Sequence, residues 1–437
     1  VDELRALARL AWPAVVGQLG TMAMGVVDLW AVGALGKEAT AAVGIGNTLS
    51  FGVLVIGFGA VAGADGAVAQ AWGAGRPGDA GTHSARAAVV AAVLAVGIVA
   101  VHLLAEPLLR ALGQSPDVIP LAGTYARGLA ASVPPVLGFQ VVRQLLQGRG
   151  VVRPAMVAVL VGNVVNLVLV TALVRGLGFG LGGAAAATTA VRWVMFAWLV
   201  RAALPTLREA SPTGPVLSRP ALRAAAASAA PVALQMGLEV WAFNAGVFLA
   251  GRLGATEAAA HTVALNLASL SFMVPLGVAS AAATRVGNAV GAGLDWRRAG
   301  WTAVAAGAGV MTLSAAAFTL FPRPLGAFYN DDPAVLALVC TVLPIAGLFQ
   351  LFDGTQVVAF GVARGRDDNR VPALFNVVGH WLVGLPLAVW LVEGRGVGLP
   401  GVWAGYTAGL GVVAALLMSR LVVQSVPRPG AGGTRPT

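Results

Sequence analysis

Twelve apolar runs, each long enough to cross a bilayer, follow one another along the chain, and no other feature limits the possible folds so severely. A spanning helix needs about 20 predominantly apolar residues. The first six runs are Leu10–Ala34, Thr40–Gly63, Ser84–Ala105, Val118–Gln144, Pro154–Val174 and Leu181–Val200. The second six are Leu222–Ala250, Ala258–Ala283, Trp301–Phe321, Val335–Val362, Val371–Val392 and Gly401–Leu421. Of the 437 residues, 58% are hydrophobic and 11% charged, and mean hydropathy is +0.82. Soluble domains are about 25% charged. One water-soluble core could not hide this much apolar surface, so the expectation is an all-α membrane protein.

The loops between the runs carry the orientation signal. Twenty loop arginines fall on one side, the side of both termini. Lys37, Arg110, Arg175, Arg252, Arg323 and Arg395 fall on the other. The positive-inside rule then puts both termini and the central linker in the cytoplasm, and the protein in the cell's inner membrane. The net charge of +10 is explained by this bias. Nucleic acid is not expected as a partner, because no basic stripe is interleaved with aromatics. Cys340 is the only cysteine, which leaves no disulfide framework and no thiolate metal site. The first run is followed by many more, so it reads as a spanning segment and not as a cleaved signal peptide.

The halves repeat at an offset close to 218 residues. Pro13 meets Pro231, Gly73-Ala74-Gly75 meets Gly291-Ala292-Gly293, and Gly178-Phe179-Gly180-Leu181 meets Gly396-Val397-Gly398-Leu399. Six helices per half keep the same orientation, so the repeats are parallel. This predicts an N-terminal lobe over 1–204, a linker over 205–220, a C-terminal lobe over 221–425 and a disordered tail over 426–437. Transporters built this way bind near the midplane and rock one repeat against the other. Pro134-Pro135, Pro275, Pro344 and Pro386 interrupt runs, as bending helices require.

Of eighteen carboxylates, only Asp28, Asp65, Glu239 and Asp353 lie in or at the edge of a run. An acid in the middle of a membrane helix costs roughly 2.5–3.5 kcal/mol on insertion scales. Such residues usually face inward and carry function. Gln18, Thr21, Gly25 and Asp28 share one helical face. Phe243 follows Glu239 by one turn, and Phe349 and Gln350 precede Asp353 by one turn. An aromatic beside an acid suits a cationic apolar guest. The competing reading for each acid is an arginine partner or a helix cap, and for Asp65, near a helix end, the cap is favoured. His261 and His380 could relay protons or simply pack between helices, and Asn163, Asn166, Asn244, Asn266 and Asn376 read first as interhelical glue. No P-loop and no nucleophile elbow appears. Energy is therefore expected from an ion gradient, and no catalytic residue and no cofactor is expected.

Several segments resemble the multidrug and toxic compound extrusion (MATE) family in its NorM-type branch. They are GVVDLWAVGALG in the first run, the long stretch Glu257–Gly293, QVVAFGVARGRDDNRVPA with the following GHWLVGLPLAVWL, and GLPGVWAG. The resemblance implies twelve transmembrane helices in two pseudo-symmetric six-helix lobes, the MATE-type fold. It implies a secondary active efflux transporter that exchanges amphipathic, often cationic drugs for Na⁺ or H⁺; the expected partners are such small molecules and the lipid bilayer, and the expected state is a monomer. By motif position Asp28, Glu239 and Asp353 match the family's acids on helices 1, 7 and 10. Asn166 and Thr188 match residues that accompany the helix 1 acid in some members. Asp28, Glu239, Asp353, Asn166 and Thr188 are thus implied in ion coupling, with Glu239 and Asp353 as a possible Na⁺ site. Together with the aromatic and amide neighbours of the acids read above, the expected substrate contacts are Asp28, Glu239, Phe243, Phe349, Gln350 and Asp353. Two departures stand out. Val170 occupies a position where an acid or amide is common, which weakens a complete ion site around Asp28. Phe349 occupies one where tyrosine can occur, which removes an oxygen near Glu239 and Asp353. A lipid-linked oligosaccharide flippase of the same superfamily is the alternative cargo reading, but those proteins tend toward a basic cavity. An intramembrane enzyme would need two catalytic groups in register, and a channel would show single-channel currents.

Overall fold

The computed structural model describes residues 2–426. Most of the tail expected over 426–437 lies outside the described residues. Among the described residues, twelve helices are long and apolar enough to span a membrane. In the first half they are α1 Asp2–Gly33, α2 Lys37–Gly73, α3 Pro77–Leu103, α4 Ile119–Gly148, α5 Arg153–Gly176 and α6 Gly180–Glu209. In the second they are α7 Arg219–Leu253, α8 Ala255–Gly291, α9 Arg297–Leu320, α10 Pro333–Gly365, α11 Arg370–Gly394 and α12 Leu399–Ser425. The helix α6 continues through Pro205 to Glu209, so the irregular linker is shorter than the composition suggests. The linker is held against α3, where Thr213 and Gly214 amides donate to Thr82 Oγ1 at 3.1 Å.

Proline sits where a helix restarts or bends. Pro134 and Pro135 fall in the first turn after a 3₁₀ turn over Ala130–Ser132, where a missing N–H is tolerated. Pro386 follows a π-helical stretch over Val378–Gly384 in the same way. Pro13, Pro231, Pro275 and Pro344 lie inside continuous helices.

The lobes meet through α1 against α8 and α2 against α7. These two interfaces are the same pair of elements with the halves exchanged, as an internal duplication requires. Small residues permit the approach. A Cβ on Gly59 would come within 2.7 Å of Ala233 Cα, and one on Gly63 within 2.6 Å of Ala229 Cα. Polar contacts then fasten the seam. Gln147 Nε2 donates to Ser280 O (2.9 Å) and Thr284 Oγ1 (3.1 Å), and Ser280 Oγ donates back to Gln147 Oε1 (3.0 Å). Gln70 Nε2 donates to Gly365 O (2.9 Å), and Asn369 Nδ2 and Ser228 Oγ both donate to Gly63 O. Arg285 grips the Glu3 carboxylate with two nitrogens at 2.9 and 3.0 Å. Among the described residues, every hydrogen bond between the lobes belongs to the half of the molecule that carries the termini. The lobes are latched at that end alone.

Asp65 belongs to this seam. It opens the last segment of α2, beyond a break at Gly63–Ala64. The helix-end position agrees with the cap reading, but its side chain is half-buried and accepts from Gln144 Nε2 at 2.8 Å.

Candidate functional site

Two acidic centres form, one inside each lobe. In the C-terminal lobe Glu239 comes from α7, Asp353 from α10 and Asn376 from α11. Gln356 lies one turn after Asp353 and joins the two acids. Its Nε2 donates to Glu239 Oε1 at 3.1 Å and Asp353 Oδ1 at 3.3 Å. Asn376 Nδ2 donates to the other Glu239 oxygen at 3.0 Å. Asp353 is 5% exposed and Glu239 half-buried. Two carboxylates sharing one amide in an apolar surround repel each other and lack a full set of donors, which favours a proton or a small cation between them.

Aromatic rings close one side of this centre. Phe243 meets Phe349, Tyr406 and His380 edge to face at 5.9, 5.2 and 5.6 Å between centroids. Phe349 also packs on Trp403 at 5.5 Å. Phe349 is buried in the core of the lobe, and Gln350 has no exposed surface and donates to Ser271 Oγ at 2.6 Å. Tyr406 does not restore the oxygen missing at Phe349, because its hydroxyl is spent on Phe243 O at 2.8 Å. His261 is also held by ring contact, 5.7 Å from Trp403, and neither of its nitrogens has a partner.

In the N-terminal lobe Asp28 from α1 accepts from Asn166 Nδ2 of α5 and Thr188 Oγ1 of α6, both at 2.7 Å. It is 3% exposed. Val170 is fully buried and supplies no oxygen. None of the ion pairs among the described residues includes Asp28, Glu239 or Asp353. The amides share one further feature. Asn166, Gln356 and Asn376 each give a nitrogen to a carboxylate and leave a buried carbonyl oxygen without a partner. Carboxylate and amide oxygens are the donor set that a hard cation takes. No group of three or more His, Cys, Asp or Glu side chains suited to a resident metal occurs among the described residues.

Two residues of this machinery escape a reading of the sequence. Gln356 and Asn376 look like ordinary helix polar residues until the fold brings them to Glu239. Of the other asparagines, Asn163 does act as interhelical glue, donating to Gly20 O of α1 at 2.8 Å, and Asn266 bonds its own helix. Arg192 on α6, one turn beyond Thr188, is passed over by a count of loop arginines, and it donates to Ser132 Oγ at 2.7 Å. Its position inside a span was the available signal.

A family model described as MatE matches residues 13–171 and again 231–390, once in each lobe. The chain belongs to the MatE family. The two matches fall at the spacing of the internal repeat. A probable multidrug resistance protein NorM of Mesorhizobium japonicum is 36% identical over 440 residues, covering 96% of this MatE chain and 93% of the relative. A multidrug resistance protein NorM of Burkholderia vietnamiensis is 35% identical over 429 residues, covering 94% and 92%. Among solved structures, the eukaryotic MATE transporter AtDTX14 superposes with a TM-score of 0.90 at 24% identity, over 98% of this chain and 96% of that one. A MATE structure in a bent conformation superposes with a TM-score of 0.85 at 23% identity, over 97% and 96%. These likenesses establish the two-lobed MATE fold for this MatE member.

Proposed function

We propose that this MatE-family protein is a secondary active multidrug exporter that exchanges amphipathic, often cationic compounds for H⁺ or Na⁺. The observation that carries the reading is the state of its three intramembrane acids. Each is held by amides or a hydroxyl and none by arginine, so each is available to a mobile ion. A fixed arginine partner would satisfy the acid permanently and leave no role for exchange. The relatives named as multidrug resistance proteins support the cargo class. Glu239 and Asp353 take the coupling ion in the C-terminal lobe, and Asp28 with Asn166 and Thr188 takes a proton or cation in the N-terminal lobe. Phe243 offers a ring face to the cargo. The burial of Phe349 and Gln350 means that cargo reaches them only after the lobe rearranges.

The seam at the terminus-bearing end supports alternating access between the two lobes, 1–204 and 221–425. With the termini in the cytoplasm, the arrangement is closed to the cytoplasm, as expected of a releasing state. The protein acts as a monomer in the inner membrane, since one chain carries both lobes, and it performs no covalent chemistry. Cargo such as a lipid-linked oligosaccharide is less favoured, because carboxylates outnumber arginines in the lobe interiors.

The test is dye efflux from proteoliposomes under an imposed Na⁺ gradient and, separately, an imposed pH gradient. The single variants Asp28→Asn, Glu239→Gln and Asp353→Asn should lose gradient-driven efflux while remaining folded. Full transport by all three would refute the assignment. Whichever gradient drives the wild type names the coupling ion.

A further inference from the structure

Arg364 closes the last turn of α10, where a basic side chain ordinarily faces water and complements the helix dipole. Here the residue is half-buried, and its Nε is buried without a partner. No carboxylate lies within ion-pair distance of it among the described residues. Asp353, Gln356, Phe360 and Arg364 fall at i, i+3, i+7 and i+11, so they share one face of α10. Along the axis Arg364 stands about 16 Å from Asp353, toward the terminus-bearing end. Side chains tilt toward the N-terminus of their own helix. The helices α7 and α10 run in opposite directions, and α7 starts from the terminus-bearing end. Glu239 therefore leans toward that end and Arg364 away from it, each toward the other. The charge of Arg364 acts on Glu239 and also on Asp65 of the facing lobe, and it opposes that of Arg143. Asp65 gives Oδ1 to Gln144 and leaves Oδ2 without a hydrogen bond among the described residues. The backbone beside Arg364 is pressed on the Asp65 segment. Gln70 Nε2 donates to Gly365 O at 2.9 Å, and a Cβ on Gly66 would lie 3.0 Å from Asp367 N. One unpaired guanidinium thus stands between the acidic centre of its own lobe and an acid across the seam.

We propose that Arg364 is a positioning residue that couples the acidic centre of the C-terminal lobe to the seam between the lobes. With the centre empty, the charge of Arg364 is shared between Glu239 and Asp65. A cation that fills the centre, coupling ion or cargo, cancels the pull of Glu239 and leaves Arg364 to Asp65, which tightens the seam. A cation arriving from the terminus-bearing side thereby closes the protein behind it. Linkage makes the effect reciprocal, so the closed seam binds that cation more tightly by the same factor. The inference rests on the exporter reading for the role of the centre, but its test needs neither cargo nor gradient.

The experiment follows the rate at which a polar maleimide labels one thiol in the seam, Ser280→Cys in a Cys340→Ala background, in the purified full-length protein. Glu239→Gln stands in for a filled centre, because it removes the charge and keeps the shape. It should slow labelling about five-fold or more, the lower end of ordinary coupling between sites. Arg364→Gln and Asp65→Asn should each raise labelling. In either background Glu239→Gln should change the rate by less than about two-fold, the usual limit for independent sites. Arg364→Lys keeps the charge and should preserve the response to Glu239→Gln, which a role in packing alone would not. A Glu239→Gln effect that is absent, or equally large with and without Arg364, overturns the proposal. If Arg364→Gln does not fold, Asp65→Asn makes the same comparison, and an undiminished Glu239→Gln effect there overturns it. A coupled seam in a protein without gradient-driven efflux would leave the role of Arg364 standing and sink the exporter reading instead.

Discussion

Gly59→Ala is a direct test of the seam between α2 and α7. The new methyl carbon would lie 2.7 Å from both Ala233 Cα and Val232 O, and 3.0 Å from Ala233 N. All three are backbone atoms, so no rotamer change relieves the contact, and the helices must separate. Gly59 lies inside a helix, where alanine gains roughly 1 kcal/mol of propensity. That gain is common to every arrangement of the lobes and cancels between them. The clash belongs only to the arrangement latched at the terminus end. Overpacking costs about 1–3 kcal/mol, which is about a 5- to 150-fold shift of the open-to-closed ratio at 1.4 kcal/mol per decade. Trimming Ala233 to glycine should not rescue it, since the obstructing atoms are backbone. The assay starts from a Cys340→Ala background carrying Ser280→Cys, which places one thiol in the seam. Labelling by a membrane-impermeant maleimide should rise in Gly59→Ala by a factor within that range. Gly44→Ala, on the same helix with open space around its Cβ, is the control. Indistinguishable labelling of Gly59→Ala and Gly44→Ala would refute the account of how the lobes close.

Gln356→Leu removes the amide shared by Glu239 and Asp353. A hydrogen bond to a charged group contributes about 1.5–3 kcal/mol, so ion-driven efflux should fall ten-fold or more. Gln350→Leu, which removes a bond to Ser271 and leaves the amide shared by the acids in place, should alter ion dependence far less, and wild-type ion dependence in Gln356→Leu would be evidence against a coupled centre. The loop after α10 predicts opposite effects from two neighbouring acids. Desolvation by neighbouring groups pushes the Asp367 carboxyl above its ordinary value, although the residue as a whole is exposed. Its ionised form therefore weakens folding at neutral pH, and the penalty disappears as pH falls through that raised value. Asp367→Asn should melt higher than wild type at pH 7, with the gap closing in acid. The left-handed backbone there, φ 59°, is one that asparagine tolerates. Burial also pushes Asp368 up, but the Arg420 fork at 2.7 and 2.9 Å and Gln424 hold its carboxyl below the ordinary value. Its contribution is present above the ordinary value and lost only as pH falls through the depressed one. Asp368→Asn should melt lower than wild type at pH 7, and calorimetry that ranks the two variants the other way would contradict both assignments.

Hydropathy is a local property, written every 20 to 30 residues, so twelve spans and their duplication could be read from the chain directly. The acids were legible for the same reason, because a carboxylate in an apolar run is conspicuous against its neighbours. The resemblance to the MATE family added Asn166 and Thr188, which the structure brings to Asp28. What the chain could not disclose is which polar side chains meet across more than a hundred residues. Gln350 and Gln356 stand six apart on α10, yet one bonds Ser271 and the other bridges two acids. Only the rotation of α10 against α7 separates them. Arg192 is similar, since its partner Ser132 arrives from another helix. The end at which the lobes latch was likewise decided by tertiary packing, because glycines and amides run along the whole of α2 and could have formed a seam anywhere on it, and backbone approach selected those on one half.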